Sequence, residues 1–222
     1  MIGTPPPKSA MNAVGKQPSK IGRPSGKEIL ERRANVLAVT RSIFIEYGYE
    51  NTTIERVSER SGISKKSVYS WFENKSALMA EVITDIANGA RAMLLKDAAI
   101  ETGNVEEDLF RIGMSLLDIF CSNESLSITR FLSRESHKYP EFRNYVASLG
   151  LRDINGVLTS IFERHQDSII DLGAPILARR FLSAITGDLS TIILYDRTMP
   201  GASEREAQAR EVSRLFVHGI LK

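Results

Sequence analysis

Between Thr52 and Lys75 the chain reads TTIERVSERSGISKKSVYSWFENK, and few arrangements satisfy every local preference in that stretch at once. Thr52 followed by Glu55 has the spacing of a capping box, in which a hydroxyl and a carboxylate satisfy the open amides of a first helical turn. A helix is therefore predicted from Thr53 to about Arg60. Ile54 and Val57 give it a narrow apolar stripe, with Glu55, Arg56, Glu59 and Arg60 left for the other face. Gly62 suits the left-handed turn that ends a helix, Ile63 plugs the corner, and Ser64 caps the next helix. Such a turn sets two helices roughly perpendicular, which is a helix-turn-helix.

The second helix, from Lys65 to about Phe72, buries Val68 and Phe72 and turns Lys65, Lys66, Ser67, Tyr69, Ser70 and Trp71 outward. Exposed Tyr and Trp gain little from water, but this mixture suits the edge of a duplex. Ammonium groups neutralise phosphates or donate to guanine, hydroxyls bond base edges, and aromatic rings pack on sugars and thymine methyls. Asn74 then caps a third helix beginning at Lys75, where a helix N-terminus and an ammonium would together face a backbone phosphate. The bland alternative is a small helical corner with a solvated face. The agreement of turn glycine, caps, spacing and exposed aromatics argues against it.

From Lys27 to about Val82 the chain resembles the DNA-binding domain of the TetR/AcrR family of bacterial transcriptional repressors. The stretch ILERRANVLAVTRSIFIEYGYENTT, Ile29 to Thr53, is similar to the family's first helix, with Phe44 and the Gly48-Tyr49 exit before the paired threonines. VYSWFENK, Val68 to Lys75, resembles the family signature Leu-Tyr-x-x-Phe-x-x-Lys. The resemblance implies an all-α fold, with an N-terminal three-helix helix-turn-helix DNA-binding domain and a larger helical domain for ligand binding and dimerisation. It also places Thr53, Lys65, Ser67, Tyr69, Trp71 and Lys75 on double-stranded DNA, and the residue reading adds Lys66. Where the family's commonest turn is Gly-Val-Ser-Lys-Gly-Thr, this chain has Lys66 for the small residue and Ser67 for the threonine, so no operator sequence transfers.

Residues 1–26 read as a disordered basic arm, 27–73 as the DNA-binding domain and 74–222 as the regulatory and dimerisation domain. The stretch from Met1 to Lys27 has Lys8, Lys16, Lys20, Arg23 and Lys27, no acids, and the run Pro5-Pro6-Pro7. Within it, Arg23 between Gly22 and Pro24 is suited to a narrow, electronegative minor groove. The same tail also reads as simply cationic and solvated. It has no long apolar core of a secretory signal. Charge is divided unevenly: residues 1–80 carry 13 basic and 7 acidic side chains, and residues 81–222 carry 16 and 20. The basic portion suits nucleic acid and the acidic portion does not. Cys121 is the only cysteine, which fits a reducing bacterial cytoplasm. Arg179 and Arg180 interrupt the best apolar run, so no membrane partner is expected.

Beyond Lys75 the apolar spacing is helical. Ala77, Leu78, Val82, Ile83, Ile86, Ala90 and Leu94 form a long stripe, so the helix that starts at DNA runs on into the second domain. Further stripes run through Leu109 to Phe120, Leu126 to Leu132, and Phe142 to Phe162, with a break at Tyr139-Pro140-Glu141. Arg130, Glu135, Pro140, Glu141 and Phe142 also resemble a run found in one TetR/AcrR subgroup. Pro175 is expected to open a helix through Ile193, ended by Pro200-Gly201, and Ser203 with Glu206 to box the start of the last one.

In the family such a terminal pair meets its symmetry mate, which implies a homodimer with Leu182, Ile185, Leu189, Ile192, Val212 and Phe216 at the interface. Intramolecular core would use the same stripes, and spacing alone does not separate the two. The resemblance further implies a small-molecule effector. Met114, Leu117, Cys121, Phe131, Arg134, Tyr145 and Phe162 are the candidate pocket, although aromatic residues at helical spacing are more often packing. An enzyme is disfavoured: His137, His165 and His218 are scattered outside any metal-ligand spacing, and no cofactor is called for. A nonspecific architectural DNA binder would use the basic arm without needing a large acidic domain. A TetR-like activator without a ligand is the other alternative.

Overall fold

The computed structural model describes residues 25–135, 154–187, 189–194 and 198–221. Helix α1 (Gly26–Tyr47) is followed by α2 (Ile54–Ser61), α3 (Lys65–Trp71) and α4 (Lys75–Ala98). Then come α5 (Val105–Phe120), α6 (Asn123–Glu135) and α7, described over 154–164, followed by α8 (Ala174–Thr186), α9 (Leu189–Leu194) and α10 (Ala202–Ile220). The expected break at Tyr139-Pro140-Glu141 and the residues from Phe142 to Leu149 lie outside the described residues.

Caps set most of the boundaries. Ser25 and Glu28 form a reciprocal box at α1, with Ser25 N donating to Glu28 Oε2 at 2.7 Å and Glu28 N to Ser25 Oγ at 3.2 Å. Ser64 accepts from Ser67 N, and Asn74 accepts from Ala77 N, as their positions predicted. The cap of α2 differs from the expectation by one residue. Thr53, not Thr52, accepts from Arg56 N at 3.2 Å, while Thr52 is buried and its hydroxyl donates to Gly48 O at 2.8 Å. Two adjacent threonines are locally equivalent, and burial of the first selects the second as the cap. The last helix is likewise displaced: Gly201 N donates to Glu204 Oε2 at 2.7 Å, and Glu206 pairs with Arg210 instead. Of the helix expected from Pro175 to Ile193, the described residues give α8 and α9, with Asp188 between them outside the described residues.

Among the described residues, three apolar clusters organise the chain. The first holds Val36 and Ile43 of α1, Ile54 and Val57 of α2, Val68 and Phe72 around α3, and Leu78 of α4. A second joins Phe44 and Tyr49 to Met79, Val82, Ile83 and Ile86 of α4 and to Ile128 and Phe131 of α6. The third and largest surrounds α5, whose Leu109, Ile112, Leu116 and Leu117 meet Leu158 and Phe162 of α7, Phe181 and Ile185 of α8, and Ala209 and Val217 of α10. Helices α5 and α8 approach closely because residue 113 is glycine. A Cβ there would stand 3.2 Å from Ile185 Cδ1.

One buried polar group anchors the start of α5. Asp108 accepts from Thr102 N at 3.0 Å and Thr102 Oγ1 at 2.7 Å, and its other oxygen lies 2.8 Å from His165 Nε2. This ties the α4–α5 loop to the end of α7. Because the Thr102 hydroxyl is turned to the carboxylate and not to the imidazole, the trio lacks a nucleophile-to-base contact. Burial pushes the Asp108 carboxyl up, but the hydrogen bonds from His165 and Thr102 more than offset that and hold it below the usual range.

Gly62, at φ +69° with open space around its Cα, ends α2 in a conformation that disfavours side chains. Gly62→Ala is expected to cost about 1–2 kcal/mol in urea unfolding. For Asp108 the lowered folded value means that its contribution is complete above about pH 4 and is lost as pH falls through the folded value. Asp108→Asn is expected to be less stable than wild type at neutral pH, yet to lose less on acidification from about pH 5 to about pH 3, as read by unfolding at each pH.

Candidate nucleic-acid interface

Helix α3 packs on the rest of its domain through its inner face. Val68 and Phe72 are fully buried in the first cluster, and Arg33 of α1 lies 4.9 Å above the Phe72 ring. The outer face presents Lys65, Lys66, Tyr69 and Ser70. Tyr69 is 52% exposed, which is large for an aromatic side chain on a rigid helix.

The exposed cations differ in how much of their charge is already engaged. Lys65 Nζ lies 2.8 Å from Glu55 Oε1, a contact that raises the lysine's pKa and lowers the glutamate's. Arg60 pairs with Glu46 at 2.8 Å. Arg56 donates to Asn51 O and lies 4.7 Å above the Tyr47 ring. Lys66 is exposed, and among the described residues no acidic side chain forms an ion pair with it. On the same helix the Ser70 hydroxyl donates to Ser67 O at 2.7 Å, and Ser67 Oγ stands 3.0 Å from Ser64 Oγ.

Trp71 does not point outward as expected. It is half-buried against the first cluster, because a residue three places after Val68 flanks the buried stripe. Its ring helps line a cleft between α3 and the start of α1, together with Ile29, Arg32, Ser64, Ser67 and Ser70. Arg32 was not among the sequence candidates. It lies far from α3 along the chain, and only packing brings it beside Ser67 and Trp71.

Lys75 stands at the first turn of α4, where the expectation placed it, but its ammonium is already held. It donates to Glu50 O at 3.0 Å and sits 4.1 Å from the centre of the Tyr49 ring. Burial lowers its pKa, against an opposing influence from Glu50. Thr53 is exposed at the start of α2, its hydroxyl serving as the cap. Arg23 lies outside the described residues.

The structure divides the residues proposed for a ligand pocket. Leu117 and Phe162 are fully buried in the third cluster, with Met114 and Cys121 half-buried against it. Burial raises the Cys121 thiol. Phe162 is 6.4 Å from Phe181 and 5.9 Å from Phe216, ring centre to ring centre. Phe131 is elsewhere, in the second cluster, 4.7 Å from the Tyr49 ring. It belongs to α6, which packs on α1, and so lies apart from the third cluster. Tyr145 and the Arg134 side chain lie outside the described residues.

Two of the expected interface residues need correction. Ile185 and Leu189 are buried within this one chain, and Leu182, Ile192, Val212 and Phe216 are half-buried against the same third cluster. Ile185 of α8 and Leu189 of α9 are thus core of this chain, whereas the other four keep part of their surface open at its edge. The outer faces carry other residues, among them Ile176, Arg180 and Ala184 of α8 and Ala207, Glu211, Arg214 and Leu215 of α10. Leu215 is 66% exposed.

Residues 36–82 match the model of the family described as bacterial regulatory proteins, tetR family. The chain is 28% identical over 120 residues to the transcriptional repressor AcnR of Corynebacterium efficiens, a match covering 54% of this chain and 58% of AcnR. With several other curated relatives the chain spans about half of their length or less. Among solved structures, a TetR-family regulator from Mesorhizobium loti superposes with a TM-score of 0.80 at 17% identity, over 87% of this chain and 98% of that one. FadR of Bacillus subtilis, in complex with stearoyl-CoA, superposes with a TM-score of 0.66 at 15% identity, over 84% and 98%. Among the described residues no helix is long and apolar enough to cross a membrane. Residues 36–82 thus match the tetR-family regulatory domain, and the chain has the fold of the solved tetR-family regulators.

Proposed function

We propose that the chain is a sequence-specific transcriptional regulator, working as a homodimer that represses from a pseudo-palindromic operator and is released by a small molecule. The observation that carries this reading is the outer face of α3. A Lys66 without an acidic partner among the described residues and a half-exposed Tyr69 project from a helix whose other side is locked by Val68 and Phe72. A rigid helix of this size reads a few base pairs, so two related by a twofold axis supply the contacts that one lacks. The outer faces of α8 and α10, with Leu215 exposed, are the surface for that pairing.

Repression is favoured by the likeness to AcnR, and an effector by FadR having been solved with stearoyl-CoA. In this chain the effector site is proposed around Met114, Leu117, Cys121 and Phe162, which share one cluster beneath α5. Leu117 and Phe162 are fully buried, so a ligand must displace packing to enter. It releases DNA only by binding the non-reading arrangement more tightly than the reading one. Arg23 is proposed as a minor-groove contact flanking each half-site.

Selection of duplexes from a randomised pool, followed by binding at fixed salt, tests the reading. A symmetric sequence should emerge and bind far better than its scrambled form. Equal binding to both, with a steep salt slope, would instead indicate an architectural protein. On the selected duplex, Lys66→Ala and Tyr69→Ala are each expected to weaken binding roughly tenfold or more, with oligomeric state unchanged in sedimentation. For the arm, Arg23→Ala should shorten the footprint at its outer edges and leave the central half-sites protected. Identical footprints would reject that role.

A further inference from the structure

We propose that Tyr49 is the positioning residue for Lys75, and that Phe131 of α6, packed on the same ring, sets where that ring lies. The inference rests on the DNA-reading function proposed above.

The Lys75 ammonium has three N–H donors. One is taken by Glu50 O at 3.0 Å, and the Tyr49 ring face lies 4.1 Å away. Both holds come from the segment that joins α1 to α2, whereas Lys75 itself begins α4, whose opening amides are oriented for an anion. The ammonium is thereby fixed beside a phosphate-binding helix terminus, not left to sweep through solvent on a four-carbon stem. Pre-fixing of this kind raises affinity by removing the ordering cost from the binding step.

Tyr49 cannot adjust independently. It is 5% exposed, and its hydroxyl stands 3.1 Å from Ser76 Oγ, also in the first turn of α4. Its ring centre is 4.7 Å from that of Phe131, which in turn meets Phe44 edge-on at 6.2 Å. Phe131 is itself 5% exposed. Arg41 of α1 adds an ionic tie to the same junction, reaching Glu124 of α6 at 2.9 Å and Asp85 of α4 at 3.6 Å. A displacement of α6 that carries Phe131 must therefore tilt or release the Tyr49 ring, and with it the ammonium that this ring holds. No bond within α4 has to change. Helix α6 thus acts on a phosphate contact of the reader through one aromatic pair.

The test uses the full chain and the duplex selected by wild type, with binding measured across a salt series. Lys75→Ala should weaken binding about tenfold and lower the log–log salt slope by about 1. Tyr49→Leu should lose slope in the same sense, whereas Tyr49→Phe, which keeps the ring, should behave as wild type. The double variant Tyr49→Leu with Lys75→Ala should bind no worse than Lys75→Ala alone. Additive losses, or a wild-type slope in either Tyr49→Leu or Lys75→Ala, would overturn the proposal, because a purely structural Tyr49 lowers the melting temperature without changing the slope.

A second measurement needs no DNA. In the free wild-type chain the Lys75 side-chain methylene protons should be shifted upfield by the Tyr49 ring current, and Phe131→Leu should change that shift. Lys75 methylenes at ordinary solvent-exposed positions would overturn the proposal even if Tyr49→Leu failed to fold. If no duplex is selected at all, the DNA-reading function fails, and this shift still decides whether Tyr49 and Phe131 place the ammonium.

Discussion

Helix α4 contributes buried side chains to each of the three apolar clusters: Leu78 to the first, Met79, Val82, Ile83 and Ile86 to the second, and Leu94 to the third. Its 24 residues extend about 36 Å. A helix gripped at both ends and in the middle transmits rotation or translation with little internal bending, since packed interiors resist continuous deformation. The reader at its start and the α5 core near its end are therefore not independently adjustable. The second cluster adds a parallel route, because α6 packs on α1 and α4 together and reaches the Tyr49 ring directly.

Charge at the reading surface is more selective than a count of residues suggests. The first 80 residues hold thirteen cations against seven acids, and several of the described cations already have a partner within the chain. Glu55 takes Lys65, Glu46 takes Arg60, Glu81 takes Arg33, and Tyr49 with the Glu50 carbonyl takes Lys75. On the outer face of α3, Lys66 and Tyr69 are exposed, and Lys66 has no acidic partner among the described residues. Internal pairing of this sort fixes long side chains in place before any partner arrives. It lowers the nonspecific pull toward phosphates, and it makes each remaining contact count for more.

The parts legible in the chain were those governed by neighbours a few residues apart. Gly62 in the left-handed conformation, Ser64 and Asn74 as caps, and Val68 with Phe72 as the inward pair all came from spacing. Where two local solutions were nearly equal, spacing chose wrongly: Thr52 rather than Thr53, and Ser203 rather than Gly201 with Glu204. The resemblance of Lys27 to Val82 identified the reader because its motif is itself local. Arg32 beside Trp71, and Phe131 against Tyr49, had no such signal, since each pair is separated by tens of residues and joined only by packing.

What the amino-acid order determined, then, was the helical class, the helix-turn-helix and the inner and outer faces of its second helix. Each of these depends on backbone preference and a 3.6-residue period. Tertiary structure alone decided which stripes face their own chain. Ile185 and Leu189 read equally well as interface or core, and they are core because α8 and α9 carry them into the cluster around α5. It also decided that Lys75 rests on Tyr49. Apolar stripes record that a surface must be covered, and the covering element is chosen by how the helices pack.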